Sequence, residues 1–219
     1  MQTAARMQRV PPAPSVGIRA PFRLLGGRLA VDFANAVPGH SAGSTAENWA
    51  GLIAFLEQAG VIASERTREL LHMSEADPQA VEHLLRQAVA LSEALHRGFD
   101  AHIRGEHIER ATVEAVNELL RVTEGHDELV PLGREWTLRL IAREQRPEWL
   151  LAAVARSAAE LIAEGSAAPL RKCANPRCPL FFYDTSRTGR RRWCSMGACG
   201  NRSKVASFAR RRARDRHPA

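Results

Sequence analysis

The chain has 219 residues, 45% of them hydrophobic, and a formal net charge of +7. That suffices for one medium domain plus a small appendage, and no apolar run reaches the roughly 18 residues that span a bilayer, so no membrane partner is expected. The charge is uneven: residues 171–219 hold 14 Lys and Arg against only Asp184 and Asp215, leaving +12 there and −5 on the rest, the balance of an acidic body whose basic end meets a polyanion.

Residues 1–20 contain Pro11, Pro12, Pro14 and Gly17 and no continuous apolar stretch. They read as a loose leader rather than a secretory signal, which makes the cytoplasm the expected location. From Phe22 to Val37 the sequence is apolar and ambiguous between strand and helix; Gly26-Gly27 suits a turn, after which LAVDFANAV can start a buried helix. Asp32 and Asn35 stand out there as polar residues in an apolar segment. They either line a ligand pocket or satisfy a neighbouring helix end.

Helical signals follow. Ser44 or Thr45 is the expected cap of a helix reading TAENWAGLIAFLEQ, with Glu47 near the capping-box position and Gly60 as its stop. Ser64 opens a shorter helix. Asp77 caps and Pro78 starts a long one that carries Val81, Leu84, Leu91, Leu95 and Phe99 at helical spacing. Another is expected from about Ile108 to Val122. The stretch DELVPLGREWTLRLIA alternates around Gly133, as a short hairpin does. Pro147 begins a last helix of this region, which Gly165 terminates.

All four cysteines then fall between residues 173 and 199: Cys173 and Cys178, fifteen residues, Cys194 and Cys199. Two Cys-x4-Cys pairs present four soft thiolates that can converge on one tetrahedral zinc ion. Two disulfides would need an oxidising compartment, and an iron–sulfur cluster would sit oddly among so many arginines. Four thiolates leave no open coordination position, so such a zinc is structural. Pro176 and Pro179 bracket a rigid turn at the first pair, and LFFYDTSRTGRRRWC reads as two short strands joined at Thr188-Gly189. The residues after Cys194 read as a helix with Cys199 in or near its first turn. Knuckle, hairpin and ligand-bearing helix make a treble-clef arrangement. Phe182 and Trp193 are expected to pack around the metal, while Phe181 and Tyr183 are candidates for stacking on exposed bases.

The tetrapeptide Cys199-Gly200-Asn201-Arg202, within WCSMGACGNRSKVASFARRR, resembles the signature of the CGNR zinc finger across roughly residues 167–212. The preceding part resembles the ABATE-type domain described as a putative stress-induced transcription regulator, whose opening, close to Leu-Asp-Phe-Val-Asn-Thr, matches Val31-Asp32-Phe33-Ala34-Asn35-Ala36. Ala36 replaces a hydroxyl, so a polar role at that position is not expected here. The resemblance implies a bacterial nucleic-acid-binding protein.

The expected fold is therefore mainly α: a leader over 1–20, a helical regulatory domain with a short β-hairpin over 21–166, a treble-clef-like finger over 167–212 and a basic tail over 213–219. Arg187, Arg190, Arg191 and Arg192 on the hairpin, with Asn201, Arg202, Lys204, Arg210, Arg211 and Arg212 on the helix, form a candidate nucleic-acid surface, DNA ahead of RNA. Asn201, beside a metal ligand, can instead hydrogen-bond the zinc loop. The helical domain is expected to sense a small-molecule effector or to mediate a homodimer, and no pattern in it points to an enzyme. The alternatives are an RNA binder using the same finger and an adaptor whose arginines meet an acidic protein.

Overall fold

The computed structural model describes residues 22–36, 48–122, 125–132, 135–142 and 147–216. The expected leader, the Ser44/Thr45/Glu47 capping segment and Gly133 lie outside them. The apolar stretch after Gly26-Gly27 is the helix α1 (Leu29–Ala36), in which every residue after Leu29 is buried. A run of small and apolar residues interrupted only by Asp32 and Asn35 suits the centre of a helical bundle, and α1 packs there against two long helices.

Around it lie α2 (Trp49–Gln58), α3 (Ser64–Ala76), α4 (Pro78–Ile103) and α5 (Arg110–Val122). The cap of α2 is Asn48, whose side chain accepts from the Gly51 N–H. An asparagine directly before the apolar stripe leaves the earlier hydroxyls too far upstream to cap it. Asp77 caps α4 as expected, accepting from the Ala80 N–H ahead of Pro78. The Trp49 indole donates to the Leu70 carbonyl at 2.7 Å and ties α2 to α3. An antiparallel hairpin, β1 (Gly125–Leu132) and β2 (Glu135–Ala142), precedes α6 (Trp149–Ala163). Gly165 then takes φ 56° and ends the helical region.

The cysteine region contains two three-residue strands, β3 (Leu170–Lys172) and β4 (Phe181–Tyr183), and a π-helical turn, Met196–Gly200, that leads into α7 (Asn201–Arg216). The β4 partner departs from expectation. It is β3, in the register Leu170↔Tyr183, rather than a strand around residues 190–192. The cause is Asp184. Its carboxylate accepts from the Ser186 N–H and hydroxyl on one oxygen and from the Arg191 N–H on the other, curling the chain away from β4 before a second strand can form.

Because side chains alternate along a strand, β4 serves two cores. Phe181 is fully buried in the helical core, edge-on to His96 at 5.1 Å and Phe99 at 5.6 Å. Phe182, one residue on, is fully buried among the cysteines with Leu25, Leu180 and Trp193. The helical part and the cysteine part, which the sequence separates at 166/167, are thus joined through one strand.

Candidate metal centre

The cysteines converge. Their four sulfurs lie within 4.8 Å of one another, with Cys178 to Cys194 at 3.8 Å and Cys194 to Cys199 at 3.7 Å. A tetrahedron with zinc–sulfur bonds of about 2.3 Å has edges of about 3.8 Å, so the spacing fits one zinc ion. Cys173 and Cys178 sit on the loop between β3 and β4, Cys194 follows the Asp184-pinned loop, and Cys199 lies in the π-helical turn. Ser195 caps that turn by accepting from the Ala198 N–H.

The surroundings stabilise thiolate selectively. The Asn175 amide donates to the Cys199 sulfur at 3.3 Å, and the Cys194 N–H donates to the Cys173 sulfur at 3.4 Å. Burial pushes the Cys178 thiol up to about 11 and raises Cys194 as well. At Cys199 burial acts in the same sense but is outweighed by hydrogen bonds from Asn175 and the neighbouring thiols, so that thiol lies below its ordinary value. Two reluctant thiols and one willing one mean that metal binding displaces protons and strengthens as pH rises. Zinc bound by the four cysteines would cross-link knuckle, loop and helix start, and supply no reactive position.

The expected nucleic-acid residues divide. Arg187, Arg190 and Arg192 are exposed on the loop, and Asn201, Arg202, Lys204 and Arg212 are exposed on α7. Arg210 and Arg211 continue α7, but their side chains are outside the described part. Arg191 is turned inward: its guanidinium covers the Phe182 ring at 4.3 Å and donates to the carbonyls of Leu25, Trp193 and Cys194. It braces the finger and is not displayed with its neighbours. Arg202 donates to the Ala198 carbonyl and approaches the Cys199 sulfur at 3.9 Å, so one face of its charge offsets the thiolates. Asn201 makes no hydrogen bond from its side chain to the described residues; Asn175, which sequence reasoning passed over, holds the metal loop instead.

Asp32 and Asn35 are both buried and both grip backbone. Asn35 donates to the Phe181 carbonyl at 2.9 Å and accepts from the Phe181 N–H at 3.0 Å, closing β4 onto α1 as another strand would. Asp32 accepts from the Gly26 N–H at 2.7 Å. A Cβ at Gly26 would stand 2.8 Å from the Asp32 nitrogen, so glycine is required by this close approach. Burial pushes the Asp32 carboxyl up to about 6 despite the N–H groups of Gly26, Leu25 and Gly27. The two residues also line a cavity of about 520 Å³, whose other walls include Leu25, Asn175, Arg177, Cys178 and Arg202.

Further ties cross between the two parts. Tyr183 donates to Glu164 at 2.7 Å while its ring lies under Arg28, which pairs with the same carboxylate at 3.0 Å. Lys172 pairs with Asp100 at 2.9 Å. Phe181 is therefore committed to packing, and the half-buried Tyr183 ring is covered by Arg28.

Comparison with known families matches residues 27–165 to ABATE, described as a putative stress-induced transcription regulator, and residues 170–212 to the CGNR zinc finger. The curated proteins contain no match to this chain.

Proposed function

From the premise that the chain belongs to the ABATE family of putative stress-induced transcription regulators and ends in a CGNR zinc finger, we propose that it regulates transcription by binding duplex DNA through that finger, under control of a small molecule held beside it. The observation that carries this reading is α7. It starts two residues after the ligand Cys199, runs sixteen residues to Arg216, and leaves Asn201, Arg202, Lys204 and Arg212 exposed. A helix anchored by metal and faced with cations suits a major groove, where Arg187, Arg190 and Arg192 on the adjoining loop reach phosphates. The burial of Phe181 and the Arg28 cover on Tyr183 remove two of the rings a single-strand reader would use.

The cavity supports the sensing half of the proposal. Arg202 lines it and also belongs to α7, while Cys178, Cys194 and Cys199 form part of the same wall. An effector lodged between α1 and the finger touches the metal centre and the base of the DNA helix together. The expected result is that zinc-loaded protein binds duplex DNA more tightly than single-stranded DNA or structured RNA in fluorescence anisotropy. Replacing Arg202 with Ala should reduce the slope of log K against log salt by about 1. Preference for RNA, or an unchanged slope, would count against the assignment.

A further inference from the structure

The helix α7 is hydrophilic almost throughout, yet Val205 is 68% and Phe208 is 55% exposed. Among the described residues α7 packs on the turn that precedes it and on little else, so neither side chain is on its way into a core. Their positions are ordered. Residues 201, 205, 208 and 212 follow the i, i+4, i+7, i+11 spacing that lines up one face of an α-helix. That face reads Asn201, Val205, Phe208, Arg212, polar at both ends and apolar between. Asn201 has both a donor and an acceptor uncommitted to the described residues. Arg212 lies over the Phe208 ring, 5.6 Å from its centroid.

We infer that this stripe is the base-reading face of α7, and that it selects A·T pairs by placing Val205 and Phe208 against thymine methyl groups while Asn201 pairs with an adenine edge. The inference rests on the duplex-DNA reading and adds its sequence class. The major groove alone displays the thymine C5-methyl, and an asparagine side chain matches the adenine N6 and N7 positions in two hydrogen bonds. From Asn201 to Phe208 the helix rises about 10 Å, which is about three base-pair steps. The occupant is argued from charge: the apolar pair is flanked on the same helix by Arg202 and Lys204, and residues 171–219 carry +12. A second copy of this helix would bring like charges together. The Arg212 guanidinium on the Phe208 ring also covers a face that an unpaired base would need, which favours contact with a methyl group over stacking.

The test compares three duplex polymers, alternating dA·dT, alternating dA·dU and alternating dG·dC, in competition anisotropy with zinc-loaded full-length protein. Deoxyuridine removes the methyl and leaves the pairing edges unchanged. The expected result is tighter binding to dA·dT than to dA·dU, by about fourfold for each methyl buried. Val205→Ala with Phe208→Ala should abolish that difference and leave the salt slope unchanged; both sites are exposed and alanine favours helix. Asn201→Ala should narrow the gap between dA·dT and dG·dC. Equal affinity for dA·dT and dA·dU with duplex binding intact would overturn the stripe and spare the DNA reading. Failure to bind any duplex would overturn both. Two further results would overturn the stripe: a Phe208-dependent preference for single-stranded RNA, or a sedimentation shift showing that the double variant loses self-association.

Discussion

Asn35 and Asp32 illustrate how two side chains decide what a helix can do. Each spends its polar atoms on backbone that would otherwise lack a partner, Asn35 on both groups of Phe181 and Asp32 on the loop that turns at Gly26. Asp32 accepts a cost in return. Its folded carboxyl titrates near 6 instead of 3.8, because burial disfavours the charge. A carboxyl raised on folding contributes stability that is fully present below the unfolded value and is lost as pH rises through the folded one. Ionisation of Asp32 therefore weakens the fold between about pH 4 and pH 6. Asp32→Asn keeps an acceptor for Gly26 and removes that penalty. Urea unfolding of the pair should show the variant gaining on the natural protein across this window, by about 2–3 kcal/mol at neutral pH. A difference that stays flat with pH would mean that Asp32 is not the buried acid described. The sequence made both residues conspicuous as polar groups in an apolar run. It could not say that the partner of Asn35 lies on a strand nearly 150 positions away, while that of Asp32 is only six residues back. Arg191 is a harder case: in the run Arg190-Arg191-Arg192 nothing local distinguishes the inward arginine from its exposed neighbours, and only the placement of Phe182 and Leu25 turns it in.

At the scale of elements, legibility follows how local the determinants are. Asp77-Pro78 and Gly165 mark the start of α4 and the end of the helical region through their own backbone chemistry, and both were readable in advance. The β4 partner was not. A three-residue strand has too few side chains to specify its own pairing, and the choice of β3 depends on the carboxylate of Asp184 gathering Ser186 and Arg191. Asn175 left a fainter signal, an asparagine inside a Cys-x4-Cys turn, where an amide has little to bond except sulfur or loop backbone. Since zinc on the four sulfurs would cross-link the metal loop, the Cys194 loop and the π-helical turn, removing zinc should loosen them selectively. In hydrogen exchange, chelation should speed the amides of residues 173–180 and 194–200 by at least about tenfold. The amides of α4 and α6, whose cores are apolar, should keep their protection. Uniform acceleration would show that the finger and the helices unfold as one unit.

Over the whole molecule, charge and packing assign different jobs to the two ends. An acidic helical body surrounds α1 and meets the finger through Phe181, the Asn35 clasp, the Arg28–Glu164–Tyr183 group and the Lys172–Asp100 pair. The basic end projects from the metal centre as α7. The finger is thus not a bead on a tether: its second strand belongs to the core of the helical domain, and the cavity between them is lined by both. In the proposed function, an effector beside α1 would meet Arg202, Cys178, Cys194 and Cys199 directly, because all of them line that cavity. The proposed function requires that the metal centre, and not the arginines alone, creates the surface that would meet DNA. The measurement that tests this most directly is duplex-DNA affinity across a salt titration, for the zinc-loaded protein and for Cys194→Ser, with folding of the helical part checked by circular dichroism. Tight binding with a steep salt dependence in the natural protein, and a loss of at least about tenfold in a variant that keeps its helices, is the predicted result. Equal affinity and equal salt slope in both proteins would contradict it.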